Sequence, residues 1–356
     1  MELRVRRKIQ YLSFILAISV IFIHTYNVEV YGLSAESGGA GTALWHLEKF
    51  FDKVQHACVP FFFAISGYLF FRNYSWDRVL EKYRSRIHSL LIPYLLWCTL
   101  YFVLYFICTN VPVLSRYMNM EKVPLSLAYY LSCLWNNTYT ILWFVKNLLL
   151  AIINAPVYYA LFVKKNSRLW DVCTLIGSFM LIGCCVLKDM GVINLQIPIS
   201  NLNLYFLSGG VLAVRCCTAV ESRNKWGRLL GVTGSCGCLL YAGIVDGVNT
   251  VWTLLFIASL WYAADCFTYS REPAWWMKQT FFIYCAHSFL LEALEKLWLI
   301  FAGRTVWAAA VDYFVMPFVV LGILSVMACL LSRYCRPIYK ILTGGRGQQK
   351  ERGKTA

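Results

Sequence analysis

The sequence predicts an all-α, polytopic membrane protein, and three observations carry this prediction. Of its 356 residues, 59% are hydrophobic and only 14% are charged, whereas an ordinary soluble domain is about 25% charged. The mean hydropathy is +0.57. The apolar residues also fall into long runs separated by short basic loops. Together these features exclude a water-soluble two-domain enzyme, a disordered chain and a nucleic-acid-binding module, because no soluble core of this length hides so much apolar surface.

Ten apolar segments are long enough, or nearly so, to cross a bilayer core of about 30 Å, which needs about 20 helical residues. The sixth segment is the weakest because polar and glycine residues interrupt it. A short turn at 246–249 predicts a hairpin between the seventh and eighth segments, and 125–135 predicts an aromatic-rich helix along the interface. The ten predicted spans are 9–26, 54–71, 90–108, 141–163, 170–187, 197–214, 229–245, 250–266, 280–301 and 308–331.

The distribution of basic residues predicts that both termini are cytoplasmic. Of 33 Lys and Arg residues, 25 lie in the two terminal segments and in alternate loops, and only six lie in the opposite loops. Cytoplasmic loops of membrane proteins carry such an excess. We therefore expect a multi-pass protein of the cell membrane, with one integral domain over 1–343 and a basic flexible cytoplasmic tail over 344–356.

The cysteines predict neither a disulfide framework nor a metal site. The chain has 15, most of them within apolar runs, and no C-x-x-C pair. Such cysteines are typical of small buried hydrophobic positions. The sequence leaves open one extracytoplasmic bridge, between Cys108 and Cys133.

Seven of the ionisable residues within the apolar spans are candidates for a functional or a structural role, since each costs about 2.5–3.5 kcal/mol on insertion scales. The imidazole of His24, at the end of the first span, can act as a general base toward a hydroxyl, or it can be a packed side chain with one hydrogen bond. The ammonium of Lys146, in the fourth span, can bind a carbonyl, a phosphate or a carboxylate, or it can extend to the interface. The seven are His24, Lys146, Asp265, His287, Glu292, Glu295 and Asp312.

Two further patterns have a functional and a structural interpretation. Glu292 and Glu295 are placed to share a helix face with each other rather than with His287, so a buried polar network is the alternative to a catalytic group. The loop before the third span contains Lys82, Arg84 and Arg86. Cations at the membrane surface can bind the phosphates of a cytoplasmic donor, but a solvated loop explains these cations equally well. The cations of the C-terminal segment are also interpreted as solvated, or as contacts with anionic lipid.

Several strings resemble the acyltransferase-3 family of integral membrane acyltransferases, and the resemblance covers nearly the whole chain. Each string alone has modest specificity, but their order and spacing fit the ten-span plan. They are His24, VPFFFAISGY at 59–68, Arg86 seven residues before Pro93-Tyr94, LWFVKNL at 142–148 and, as a fifth, FIYCAH at 282–287.

The resemblance implies transfer of an acyl group, acetyl or succinyl, from cytoplasmic acyl-CoA to a hydroxyl of an extracytoplasmic glycan or other cell-envelope acceptor. It implies that His24 is catalytic and that acyl-CoA is a co-substrate, with no tightly bound cofactor and no metal. Lys82, Arg84 and Arg86 are then the candidates for binding acyl-CoA. The candidates for contacts with the oxyanion or the acceptor are Lys146, Trp143, His287 and Asn27.

One departure from the family concerns the first span. Family members often have Arg or Lys eleven residues before the histidine, and this chain has Ser13. Eleven helical residues return to nearly the same face about 16.5 Å away, so the missing cation would lie directly beneath His24. Another helix, through Arg86, can supply the charge; a different donor or weaker catalysis are the alternatives. His88 likewise replaces a common Lys.

The main alternative function is a transporter or a flippase for a lipid-linked or polymeric glycan, in which the intramembrane ionisable residues line a translocation path. Such proteins often have repeated halves and broken helices. The sequence contains no repeat, and only the interrupted sixth span hints at a break. An envelope polymerase is a third possibility, but it favours one long outer loop that this chain lacks.

Overall fold

The computed structural model describes residues 1–116, 120–165, 167–193 and 201–346. Helix accounts for 79% of the structure, and the described residues contain no strand, which confirms the predicted all-α class. The α-helices in chain order are α1 (Leu3–His24), α2 (Gly39–Gln55), α3 (Cys58–Phe71), α4 (Val79–Arg86), α5 (Ile92–Asn110), α6 (Pro112–Ser115), α7 (Leu127–Asn136), α8 (Trp143–Ile153), α9 (Ala155–Tyr158), α10 (Arg168–Asp189), α11 (Asn201–Arg215), α12 (Cys217–Glu221), α13 (Lys225–Ile244), α14 (Thr250–Ala263), α15 (Thr280–Ala302), α16 (Val306–Tyr334) and α17 (Arg336–Thr343).

A helix overlaps each of the ten predicted apolar segments, although the start of the sixth, 197–200, lies outside the described residues. Within the part of the chain that the structure describes, five helical stretches are long and apolar enough to cross a membrane: Leu3–His24, Gly39–Phe71, Trp76–Asn110, Arg168–Asp189 and Val306–Tyr334. The pair Trp143–Ile153 and Ala155–Val163, bent by 56°, makes a sixth if it is one span. The ten-span plan and the cytoplasmic termini therefore stay predictions.

Polar side chains at the helix starts follow the usual capping rule. The hydroxyl of Ser126 accepts from the N–H of Tyr129 (3.1 Å) at the start of α7, where the sequence predicts a short aromatic helix. Asn249 accepts from the N–H of Trp252 (2.9 Å) at the start of α14. Because α14 packs against α13, the predicted hairpin is confirmed.

The closest helix packing joins α3 to α11. A Cβ at Gly67 would overlap the backbone carbonyl of Phe206, and a Cβ at Gly209 would overlap that of Ala64. Small residues allow such backbone contact between membrane helices. The backbones of α3 and α11 are therefore in direct contact.

The start of α1 is fixed by a buried ion-pair cluster. Asp265, 1% exposed, pairs with Arg4 (2.7 Å) and with Lys8 (2.9 Å). The Lys8 ammonium also lies 3.9 Å from the ring centroid of Trp261. Asp265, an ionisable residue in a predicted span, therefore has a structural explanation.

Both ends of the described chain lie at one end of the bundle. Arg7 donates to the carbonyl of Tyr269 (3.3 Å), and the hydroxyl of Tyr339 in α17 donates to Gln279, ten residues later in the same loop. We call this end the basic end. It also carries the helix α4 with Lys82 and Arg86, because Gly344, after α17, packs on Ser89.

We expect Gly67→Ala to destabilise the fold, because overpacking a close helix contact typically costs about 1–3 kcal/mol. Thermal unfolding of the purified protein in detergent measures the effect. Gly183→Ala is the matched control, since Gly183 is also helical and a Cβ there meets no atom within 4 Å. The control should unfold at the wild-type temperature or higher, and equal unfolding of both variants would contradict the assigned packing.

Candidate active site

Two histidines from different helices meet inside the bundle. His24 is the last residue of α1, and His287 lies in the first third of α15. Their ring centroids are 5.3 Å apart, with 49° between the ring planes. The sequence singles out both residues but does not predict that they meet.

The backbone fixes the tautomer of His287. Its Nδ1 lies 2.8 Å from the carbonyl oxygen of Tyr284 and 3.2 Å from that of Ile283. Because carbonyl oxygens only accept hydrogen bonds, Nδ1 is the protonated nitrogen. Nε2 is buried and has no hydrogen-bond partner among the described residues. In the neutral ring this nitrogen therefore carries a free lone pair.

His24 is the exposed member of the pair. The residues that follow it are buried, since Thr25 and Asn27 are 0% and 4% exposed. Its ring faces His287, which is fully buried. An exposed imidazole in contact with a buried one is accessible to a substrate.

Buried hydrogen bonds hold the segment that follows His24. The N–H of Asn27 donates to the carboxylate of Glu48 (3.2 Å), and the hydroxyl of Tyr31 donates to that of Asp312 (3.0 Å). Glu48 is 0% exposed and Asp312 is 2% exposed. Of the predicted acceptor contacts, His287 thus faces His24. Asn27 follows His24 by three residues, in the segment that Glu48 and Asp312 hold.

The histidine pair lies nearer to the basic end than to the opposite end of α15. His287 is seven residues after Thr280, the first residue of α15, and fifteen residues before Ala302, the last. At 1.5 Å per residue these separations are about 11 Å and about 22 Å. A group that enters from the basic end therefore has the shorter distance to travel.

The three predicted donor contacts have different environments. Lys82 donates to the carbonyls of Phe70 (2.9 Å) and Arg72 (3.1 Å), so it closes the end of α3. Arg84 is exposed. Arg86 lies 5.6 Å from the ring centroid of Phe70, and its Nε is buried without a hydrogen-bond partner among the described residues. Arg86 is thus the cation of the three that is directed inward and unpaired.

Lys146 is bound at the end of α7. The Lys146 ammonium donates to the carbonyl of Trp135 at the end of α7 (2.6 Å) and lies 5.5 Å from the centroid of its ring. Trp143 is 39% exposed. This environment favours the structural interpretation of Lys146.

Glu292 also has structural partners. It accepts from the hydroxyl of Tyr105 (2.8 Å) and from the ammonium of Lys296 (2.8 Å). This arrangement is the polar network that the sequence offers as the alternative to a catalytic carboxylate. Neither contact involves His287.

An apolar cavity lies apart from the histidines. It has a volume of about 330 Å³ and lies between α1, α3, α10, α11 and α14, and neither histidine is among its lining residues.

The bridge that the sequence leaves open is not formed, because Cys108 and Cys133 are free thiols. The described residues contain no cluster of three potential metal ligands.

A comparison with protein families places the chain. The model of the acyltransferase-3 family, described as an acyltransferase domain, matches residues 6–335. The chain belongs to this family. The match covers nearly the whole chain and confirms the resemblance predicted from the sequence. Comparisons with curated proteins and with solved structures gave no match. The histidine pair is therefore the candidate active site of a membrane acyltransferase.

We expect Glu48→Ala to lower both stability and acyl transfer. The change leaves the buried N–H of Asn27 without an acceptor, which costs about 1–3 kcal/mol, and it releases the segment after His24. Thermal unfolding and the formation of free CoA from acetyl-CoA measure the two effects. Glu48→Gln is the control, because its amide oxygen can still accept. The role would be refuted if Gln were as damaging as Ala.

Proposed function

We propose that this acyltransferase moves an acyl group, acetyl or succinyl, from cytoplasmic acyl-CoA to a hydroxyl of an extracytoplasmic glycan or other envelope acceptor. The observation that carries the proposal is the pair of imidazoles inside the bundle, one exposed and one buried with a free Nε2. Such a pair can accept and return a proton.

The basic end supports a donor with phosphate groups. Arg86 carries an inward, unpaired guanidinium there, and guanidinium groups bind phosphate oxygens through paired hydrogen bonds. The short distance along α15 from this end to His287 lets a long thioester arm enter toward the histidines. The positive-inside distribution of the sequence assigns this end to the cytoplasm, where acyl-CoA is available.

In the proposed reaction, His24 removes the proton from the acceptor hydroxyl while its oxygen attacks the thioester carbonyl. The C–O bond forms, the C–S bond breaks, and the thiolate of CoA leaves and takes up the proton. His287, held by the carbonyl of Tyr284 and with Nε2 unpartnered, shares the proton. An acyl-imidazole on His24 is the alternative route to the same products.

The bent pair α8 and α9 is the observation that favours a transporter, because broken helices line many translocation paths. Family membership and the histidine pair favour acyl transfer. Formation of free CoA from acetyl-CoA by the purified protein distinguishes the two, since a flippase has no use for a thioester.

We expect His24→Ala to reduce the formation of free CoA from acetyl-CoA by about 10²–10⁴-fold, the usual contribution of a general base. His287→Gln should reduce it by about 10²-fold, because an amide cannot replace the Nε2 lone pair. The assay uses protein in lipid nanodiscs, with free CoA quantified by mass spectrometry.

His46→Ala is the matched control. His46 is exposed on α2 and contacts the neighbouring ring of Trp45, so its loss should leave turnover unchanged. Wild-type turnover in His24→Ala protein that is still folded and inserted would refute the proposed function. Wild-type turnover in His287→Gln alone would refute only the role of the pair.

A further inference from the structure

The C-terminal helix α17 has a fixed position against the basic end. Tyr339 and Leu342 are 1% and 8% exposed. The indole N–H of Trp97 donates to the carbonyl of Leu342 (3.0 Å), and the hydroxyl of Tyr339 donates to Gln279 at the start of α15. The helix thus packs on α5 and α15 by side-chain burial and hydrogen bonds. It lies beyond residues 6–335, which match the family.

A glycine turn directs the chain back to the bundle after α17. Gly344 and Gly345 have φ values of +59° and +76°, a region that favours glycine. A Cβ at Gly344 would overlap the backbone of Ser89, and the N–H of Gly345 donates to the carbonyl of Lys340 (2.9 Å). The residue that follows the turn, Arg346, is therefore placed beside the segment that begins at Arg86. The sequence predicts a flexible tail over 344–356. The structure describes its first three residues, and 347–356 lie outside the described residues.

The side chain of Arg346 is held within the basic end. Its guanidinium lies 4.3 Å from the ring centroid of Phe281, and Nη1 is buried without a hydrogen-bond partner among the described residues. Burial, with the nearby charge of Arg86, lowers the pKa of Arg346 to about 10, although the Cys285 thiol acts in the opposite direction. The contact of Gly344 with Ser89, three residues after Arg86, places the two guanidinium groups at the same end of the bundle.

Neither guanidinium has a counter-ion among the residues that the structure describes. The ion pairs of the described chain involve neither Arg86 nor Arg346. Two like charges in a partly desolvated site are unfavourable, and an anion between them removes the repulsion. Phosphate oxygens match the planar donor geometry of arginine. The site is therefore suited to a phosphate-bearing ligand.

We propose that Arg346 and Arg86 together bind the diphosphate of acyl-CoA, so that the C-terminal segment completes the donor site. The inference rests on the proposed function. Phe281, beneath the Arg346 guanidinium, lies six residues before His287 on α15, which is about 9 Å along the helix. A donor held at this point would need its thioester arm to span only this distance to reach the histidine pair. An anionic lipid headgroup offers the same phosphate chemistry, and the experiment separates the two.

The test measures CoA binding to the full-length protein in nanodiscs of zwitterionic lipid. Arg346→Gln and Arg86→Gln should each weaken CoA binding at least about tenfold, equivalent to about 1.4 kcal/mol. Lys340→Gln is the matched control, because Lys340 is an exposed cation on the same helix; it should change the affinity less than about twofold. Pantetheine, which has no phosphate, should bind equally to all of these variants.

Unchanged CoA affinity in Arg346→Gln protein overturns the proposal. If that protein also turns over acetyl-CoA normally, the proposed function stands and only the role of Arg346 fails. If CoA binding depends on Arg346 but no acyl transfer occurs in the wild type, the donor site stands and the proposed function fails. If the wild type binds no CoA, both fail.

Two further measurements complete the test. The first measures the binding of anionic lipid added to the nanodiscs. If lipid binding depends on Arg346 and CoA binding does not, the site binds a lipid headgroup and the proposal is overturned. Arg346→Lys keeps the charge but loses the planar fork, so its affinity should lie between those of the wild type and Arg346→Gln. This order of CoA affinities, in variants that unfold at the wild-type temperature, separates ligand binding from a purely structural role of Arg346.

Discussion

The hydrogen bond from Nδ1 of His287 to the carbonyl of Tyr284 is the interaction on which the candidate site depends. It commits one nitrogen of a fully buried imidazole to its own helix, and it thereby orients the other nitrogen without a partner in the described protein. A backbone carbonyl cannot change its role as an acceptor, so the tautomer is set by the fold itself. The pairing with His24 then follows from how α1 packs on α15.

The ionisable groups differ in how far the protein compensates them. Asp265 and Glu292 have cationic partners, so the protein compensates their charges. Glu295 and Asp312 each retain a buried oxygen with no partner among the described residues, and His287 and Arg86 each retain a buried nitrogen of that kind. Because an uncompensated buried polar group is costly, we expect substrates at these two nitrogens. They lie on the histidine pair and on the basic end.

The arrangement also gives the molecule two unlike sides. On the side of the basic end, cations and aromatic rings lie about 11 Å below the histidine pair along α15. On the other side, buried carboxyl groups such as Glu48 and Asp312 hold the segment after His24 through its backbone and through Tyr31. Cations suit an anionic donor and hydrogen-bonding groups suit a hydroxylated acceptor, so the two substrates of the proposed reaction are separated by charge.

The amino-acid sequence by itself determined the helical class, the positions of the apolar segments, the hairpin before Asn249 and the family, because each depends on local composition, capping or short strings. It also identified His24, His287 and Arg86 individually. Only the tertiary structure decided that His24 faces His287 and that Lys146 is engaged by Trp135. It also decided that Gly344 turns Arg346 into the bundle. These are contacts between residues far apart in the chain, and helical periodicity specifies which face a residue occupies but not which helix packs against that face.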